Sequence, residues 1–181
     1  MTTMVTDQST KGKGLLKNEK GLTLIELLAV IVILAIIAAI AIPSIGGIIN
    51  RTKKESHRAN AQIIVDATRY AVTAEGFPMG RTGNEIVSDS NTGSTYIEVP
   101  VSELNNKGYL ESVPADPESS NKDPYGNGSA VRIHRMNDTG KYRYQVKLVK
   151  SNGTNAFAAT ATDKDGFVWE TEIKEAKLNG D

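Results

Sequence analysis

The chain contains no cysteine. That excludes a disulfide-stapled module, a thiolate zinc or iron–sulfur centre and a cysteine nucleophile. Histidine is almost as scarce: His57 and His134 lie far apart in sequence and leave little for a histidine metal site. Neither charge dominates, because 21 Lys and Arg balance 21 Asp and Glu, so no overall field directs the protein to nucleic acid or an anionic surface. No serine stands in a Gly-x-Ser-x-Gly setting, and nothing else suggests a triad with base and orienter in reach. At 181 residues the chain is too short for a two-domain enzyme. Hydrophobic residues make up 39%, against about 45–50% in ordinary globular domains. They are also unevenly placed.

Residues 27–42 (LLAVIVILAIIAAIAI) are apolar without a break. Taken from Leu22, the segment 22–42 is about 31 Å long at ~1.5 Å per helical residue, which matches a hydrocarbon core of about 30 Å. No small-residue cleavage pattern follows it; the chain continues Pro43-Ser44-Ile45-Gly46-Gly47. The apolar segment therefore reads as a retained, single membrane anchor rather than an ordinary secretory signal. Lys11, Lys13, Lys17 and Lys20 precede it and Arg51, Lys53, Lys54 and Arg58 follow it, so the positive-inside count is nearly even. Glu26 does not suit a plain anchor. A carboxylate inside a membrane helix costs roughly 2.5–3.5 kcal/mol on insertion scales, and the segment holds no other charge. Its partner is expected from elsewhere, either another protein or a new amino terminus made by cutting the chain.

Lys20-Gly21-Leu22-Thr23-Leu24-Ile25-Glu26, opening an apolar helix, resembles the class III leader junction of type IV prepilins and pseudopilins. The likeness is strong over residues 20 to 50 and lies in layout beyond them. It implies cleavage by a prepilin peptidase between Gly21 and Leu22 on the cytoplasmic side, then methylation of the new Leu22 amine. Family members most often carry phenylalanine where this chain has Leu22. The resemblance also implies that Glu26 neutralises the amino terminus of a neighbouring subunit. A lone charge in a water-poor bundle is penalised, whereas a pair is compensated.

The fold expected is α+β, the type IV pilin fold. A cleaved leader spans 1–21, a transmembrane and assembly helix 22–43, and an amphipathic continuation of that helix 44–76. A helix-to-sheet region follows over 77–130, then an antiparallel sheet of roughly four strands and a tail over 131–181. Pro43 removes a helix hydrogen bond, and Gly46 and Gly47 weaken the same turn, so a kink is expected there. Ile45, Ile49, Thr52, Ser56, Ala59, Ile63, Ala67, Tyr70 and Ala74 recur at helical steps and read as the inward stripe, ended by Gly76-Phe77-Pro78. A short helix is predicted over 100–107, closed by Gly108. Strands are predicted over 131–136, 142–149, 156–161 and 167–173. Tyr142, Tyr144, Val146 and Leu148 are assigned to one face, Phe167, Trp169, Thr171 and Ile173 to a second inward one.

Asp163-Lys164-Asp165-Gly166 spells part of a calcium loop but lacks the closing glutamate, and reads as a hairpin turn. The stretch from Val101 through Asp123-Pro124-Tyr125-Gly126 resembles the helix-to-sheet loop of pilins and major pseudopilins, and that resemblance alone allows calcium at Asp116 or Asp123. No cofactor is otherwise expected. Arg132, Arg135, Lys141, Arg143, Lys147 and Lys150 read as a solvated face, offset by Glu170 and Glu172 across the sheet. DNA capture would need such a patch.

The resemblance implies a type IV pilus subunit: a helical homopolymer assembled by inner-membrane pilus machinery, membrane-bound as precursor and extracellular when assembled. Adhesion to host surfaces, twitching motility and DNA uptake are equally compatible with it. The lack of cysteine in the globular half is closer to Gram-positive pilins or major pseudopilins. A major pseudopilin of a type II secretion or competence system shares every feature above. A membrane-anchored binding protein that never polymerises is the remaining alternative.

Overall fold

The computed structural model describes residues 23–76 and 86–179. The chain forms two compact units, Met1–Ile45 and Gly46–Asp181. Helix α1, Leu24–Glu75, runs through 52 residues and carries Pro43 inside it. Pro43 has no N–H to offer the carbonyl of Ala39, so the ladder lacks one bond there, yet the helix does not end. Gly46 and Gly47 follow within it, with open space where a Cβ would stand. The helix stops at Gly76, whose φ of 79° is the left-handed conformation of a C-terminal cap and whose N–H still donates to the Val72 carbonyl at 2.9 Å.

In the first unit the apolar side chains have no partner. Leu24, Ile25, Leu28, Ile31, Leu34 and Ile37 are all exposed, and every other large hydrophobic residue from 27 to 40 is exposed with them. This is the one helix among the described residues long and apolar enough to cross a membrane. Burying each such side chain stabilises by about 1.5–3 kcal/mol, so the segment requires lipid or other helices around it.

The second unit is built on a five-stranded antiparallel meander. Its strands are β1 Val87–Asp89, β2 Ser94–Pro100, β3 Ala130–Met136, β4 Tyr142–Lys147 and β5 Val168–Trp169, paired in chain order. Helix α2, Val101–Asn106, follows β2 directly and closes at Gly108, φ 79°, as its sequence predicts. The register aligns Ile97 with Ile133 and Tyr144, and Val99 with Val131, Val146 and Val168. These residues are buried together with Ala61, Ile64, Val65, Ala71 and Val72 of α1. Alanine at two of those helix positions lets the backbone approach the sheet closely.

Several expectations change. The inward stripe of α1 is His57, Ala61, Ile64, Val65, Thr68, Ala71 and Val72. Ile45, Ile49, Ile63 and Tyr70 of the predicted stripe are exposed instead. Both series have helical spacing, and the sheet selects the one with small residues at its centre. Two strands, β1 and β2, lie inside 77–130, where turn formers obscured the β-branched run Ser94–Pro100.

Residues 156–161 form no strand. Phe157 makes an isolated bridge with Leu178, and the alanines around it have little β preference. The last strand is only Val168–Trp169, followed by a 3₁₀ turn over Glu170–Glu172, and its parity is reversed. Val168 faces the helix opposite Val146, while Trp169 and Phe167 lie on the far side with Arg143 and Arg132. On β4, Tyr144 and Val146 are buried as expected, but Tyr142 is 40% exposed.

Candidate functional site

Gly21 and Leu22 lie outside the described residues. Thr23 and Glu26 begin them and form a reciprocal cap. The Thr23 N–H and Oγ1 both donate to Glu26 Oε2, at 2.9 and 2.7 Å, and the Glu26 N–H returns to Thr23 Oγ1 at 3.3 Å. This capping box satisfies two of the orphan donors of the first helical turn, and it places the carboxylate at the positive end of the helix dipole. The expectation that Glu26 has no partner within its own segment is therefore corrected. The signal was present as Thr-x-x-Glu ahead of an apolar run.

The acidic residues considered for calcium are engaged in other bonds. Asp116 Oδ2 accepts from the Ser151 N–H and hydroxyl, both at 2.9 Å, and Oδ1 accepts from the Glu118 N–H. Burial pushes the Asp116 carboxyl up, but those donors outweigh it and hold it below the usual range. Asp123 accepts from the Ser119 hydroxyl. Asp163 folds its own turn by accepting the Asp165 and Phe167 N–H groups. Gly166 closes that turn at φ 88°, where a Cβ would meet the Asn155 amide. Among the described residues no three His, Asp or Glu side chains gather as an ion site.

The basic stripe is not a uniform solvated face. Arg132 is buried and pairs with Glu98 at 3.2 Å, Asp163 at 3.1 Å and Asp165 at 2.8 Å. Its guanidinium lies 3.9 Å from the Phe167 ring centroid and 4.9 Å from that of Tyr96. Lys150 is buried as well, and donates to both oxygens of Glu118 at 2.9 Å. Arg135, Lys141 and Arg143 remain exposed. Glu170 does not offset them: it pairs with Arg69 of α1.

Both histidines are buried. The Tyr125 hydroxyl stands 2.6 Å from His57 Nδ1. Burial pushes the Tyr125 phenol far up, so it keeps its proton and donates to Nδ1. The imidazole proton then sits on Nε2, 3.3 Å from Glu118. His134 lies on the opposite face of the sheet between Ser94 Oγ and the Gln145 side chain, each at 2.9 Å. Desolvation lowers the pKa of both histidines, on His57 against the opposing pull of Glu118.

Each is therefore neutral when folded, at a pH where the unfolded histidine already binds a proton. Stability attributable to them is complete above the unfolded pKa of about 6.5 and falls as pH drops below it, by up to about 1.4 kcal/mol per pH unit for each histidine. Carboxylates such as Asp89 and Asp165, whose pKa values are also lowered, add to the loss only nearer pH 4. The urea midpoint is expected to decline between pH 7 and pH 5.5. A flat profile over that interval would contradict neutral burial.

The family model described as the prokaryotic N-terminal methylation motif matches residues 16–42. No curated protein and no solved structure matches the chain. The motif supports a type IV pilin-like prepilin and is consistent with a structural subunit that a prepilin peptidase processes. The α+β architecture, with the long apolar helix continuing onto an antiparallel sheet, is consistent with the pilin fold, and the apolar helix fits membrane anchoring of the precursor.

Proposed function

We propose that the protein is a subunit of a type IV pilus, cut between Gly21 and Leu22, methylated on Leu22, and polymerised into a surface filament. The observation that carries this reading is the methylation motif over residues 16–42 on a capped helix whose large apolar side chains from 24 to 40 are all uncovered. Such a helix is soluble in lipid as a precursor and must be covered by copies of itself once it leaves the membrane. A single repeated head-to-tail contact that does not close generates a filament. In the assembled state Glu26 faces the amino terminus of a neighbouring subunit, which supplies the charge its own segment lacks. Pro43, Gly46 and Gly47 give the helix its most deformable turn, where subunits adapt to the curvature of the bundle. Neutralisation of Arg132 and Lys150 leaves only the smaller exposed set of basic residues for any DNA, so surface attachment or motility is the favoured role.

Intact mass and N-terminal sequencing of material sheared from native cells test this reading. A chain beginning at Leu22 and one methyl group heavier is expected. Full-length protein confined to membranes would support a simple anchored domain, and processed protein found only inside the envelope would support a pseudopilin. Replacing Gly21 with valine is expected to abolish processing, because the peptidase junction needs the smallest residue there. The unprocessed mass of Gly21→Val protein, read in membranes, checks it.

A further inference from the structure

The outer face of the sheet, away from α1, carries a groove of about 440 Å³ between the β1–β2 turn and the 163–166 turn. Its walls combine rings and planar polar groups. Tyr96 and Trp169 flank His134, with ring centroids 5.0 and 4.8 Å from it. Asp89, Asn91 and Asp165 stand on the rims, and Gln145 also lines it.

The hydroxyls behind the groove are ordered in one direction. Thr92 Oγ1 donates to Asp89 Oδ2 at 2.8 Å, so across the 2.6 Å Thr92–Ser94 contact the hydrogen must come from Ser94. Ser94 can then only accept from His134, which puts the imidazole proton on Nδ1 and leaves Nε2 as an acceptor. The Gln145 amide therefore turns its NH₂ towards Nε2. Its two ends are alike in shape, and the other end has no hydrogen bond among the described residues. Gln145 is only 5% exposed and lines the groove, so this end is left to a groove ligand or to water.

We propose that this groove binds a neutral saccharide. Carbohydrates offer C–H faces that pack on aromatic rings and hydroxyls that both donate and accept. The groove supplies both complements: Tyr96 and Trp169 for the faces, and Asp89, Asn91, Asp165 and the free end of Gln145 for the hydroxyls. Charge argues for a neutral ligand, since the Asp163 and Asp165 carboxylates are compensated by Arg132 and no cluster of acids remains to hold an ion. The inference stands on the globular unit alone and does not depend on polymerisation.

Trp169 is the sole tryptophan of the chain, so its emission reports this groove without interference. Full-length protein in a zwitterionic, sugar-free detergent is titrated with glucose, galactose, N-acetylglucosamine, lactose and chitobiose, each into the millimolar range. A saturable change in Trp169 emission is expected with at least one of them. The Asn91→Ala exchange alters only an exposed side chain that makes no hydrogen bond, and is expected to weaken that binding at least about fivefold with an unchanged melting temperature. Tyr96→Leu is expected to abolish it. Emission unresponsive to the whole panel, or responsive only to calcium chloride or to a peptide digest, would overturn the proposal, as would saturable binding indifferent to both exchanges.

Discussion

Glu26→Ala is expected to leave cleavage after Gly21 largely intact and to reduce sheared filaments to traces. An unpaired charge left in a water-poor bundle when its partner is removed costs about 3–5 kcal/mol. Even the lower figure shifts the equilibrium of subunit addition by more than about a hundredfold. The capping box supplies a competing explanation, because alanine also removes two hydrogen bonds from the Thr23 N–H and hydroxyl and loss of a cap costs about 1 kcal/mol. Glu26→Gln separates the two. Its amide oxygen can still accept from Thr23, so the cap survives, but it carries no charge for a neighbour's amine. Failure of both variants to assemble identifies the charge as the requirement. Normal filaments from Glu26→Gln would reduce Glu26 to a helix cap and sink the assembly role.

What could be read in the sequence follows from how local each signal is. The apolar helix, Glu26 at its start and the methylation motif are contiguous, and each depends on residues within a turn or two of itself. Helix α2 was equally legible, because Pro100 and Gly108 bracket it. The inward face of α1 was not. Ile63 and Tyr70 are larger than Ala61 and Ala71, and hydrophobicity alone prefers them, yet the sheet packs against the smaller residues and leaves the larger exposed. That choice depends on interhelix-to-sheet distance, a tertiary quantity. The parity of β5 failed for a related reason. Phe167 and Trp169 are the large aromatic residues there, and Phe167 is buried and Trp169 half-buried, but under charged side chains on the far face rather than against the helix. Hydrophobic patterning cannot distinguish a ring covered by a guanidinium from one covered by a valine. Thr23 partners Glu26 as a cap and not as a charge, a pairing that Thr-x-x-Glu ahead of an apolar run spells locally.

Arg132 carries the second large expected effect. Its position in an alternating strand suggested solvent, and the structure instead buries it among Glu98, Asp163 and Asp165 and between the rings of Phe167 and Tyr96. Removing it leaves three carboxylates converging on an uncharged site and uncovers Phe167, which is 1% exposed in the parent. Loss of one member of a buried ion pair costs about 3–5 kcal/mol. The carboxylates here keep contact with water, with side-chain exposures from 31 to 45%, which lowers the expectation for Arg132→Met to about 2–4 kcal/mol. Arg132→Lys is expected to recover little, because one ammonium cannot present the planar, multidirectional donors that reach three acids at once, nor cover two rings. Urea unfolding followed by Trp169 emission gives both numbers. The neighbouring Arg135→Met, at an exposed position outside this cluster, is expected to change stability by less than about 0.5 kcal/mol. Equal, small effects at the two arginines would return the basic residues to a solvated face, and the 163–166 turn would then need another reason to lie where it does.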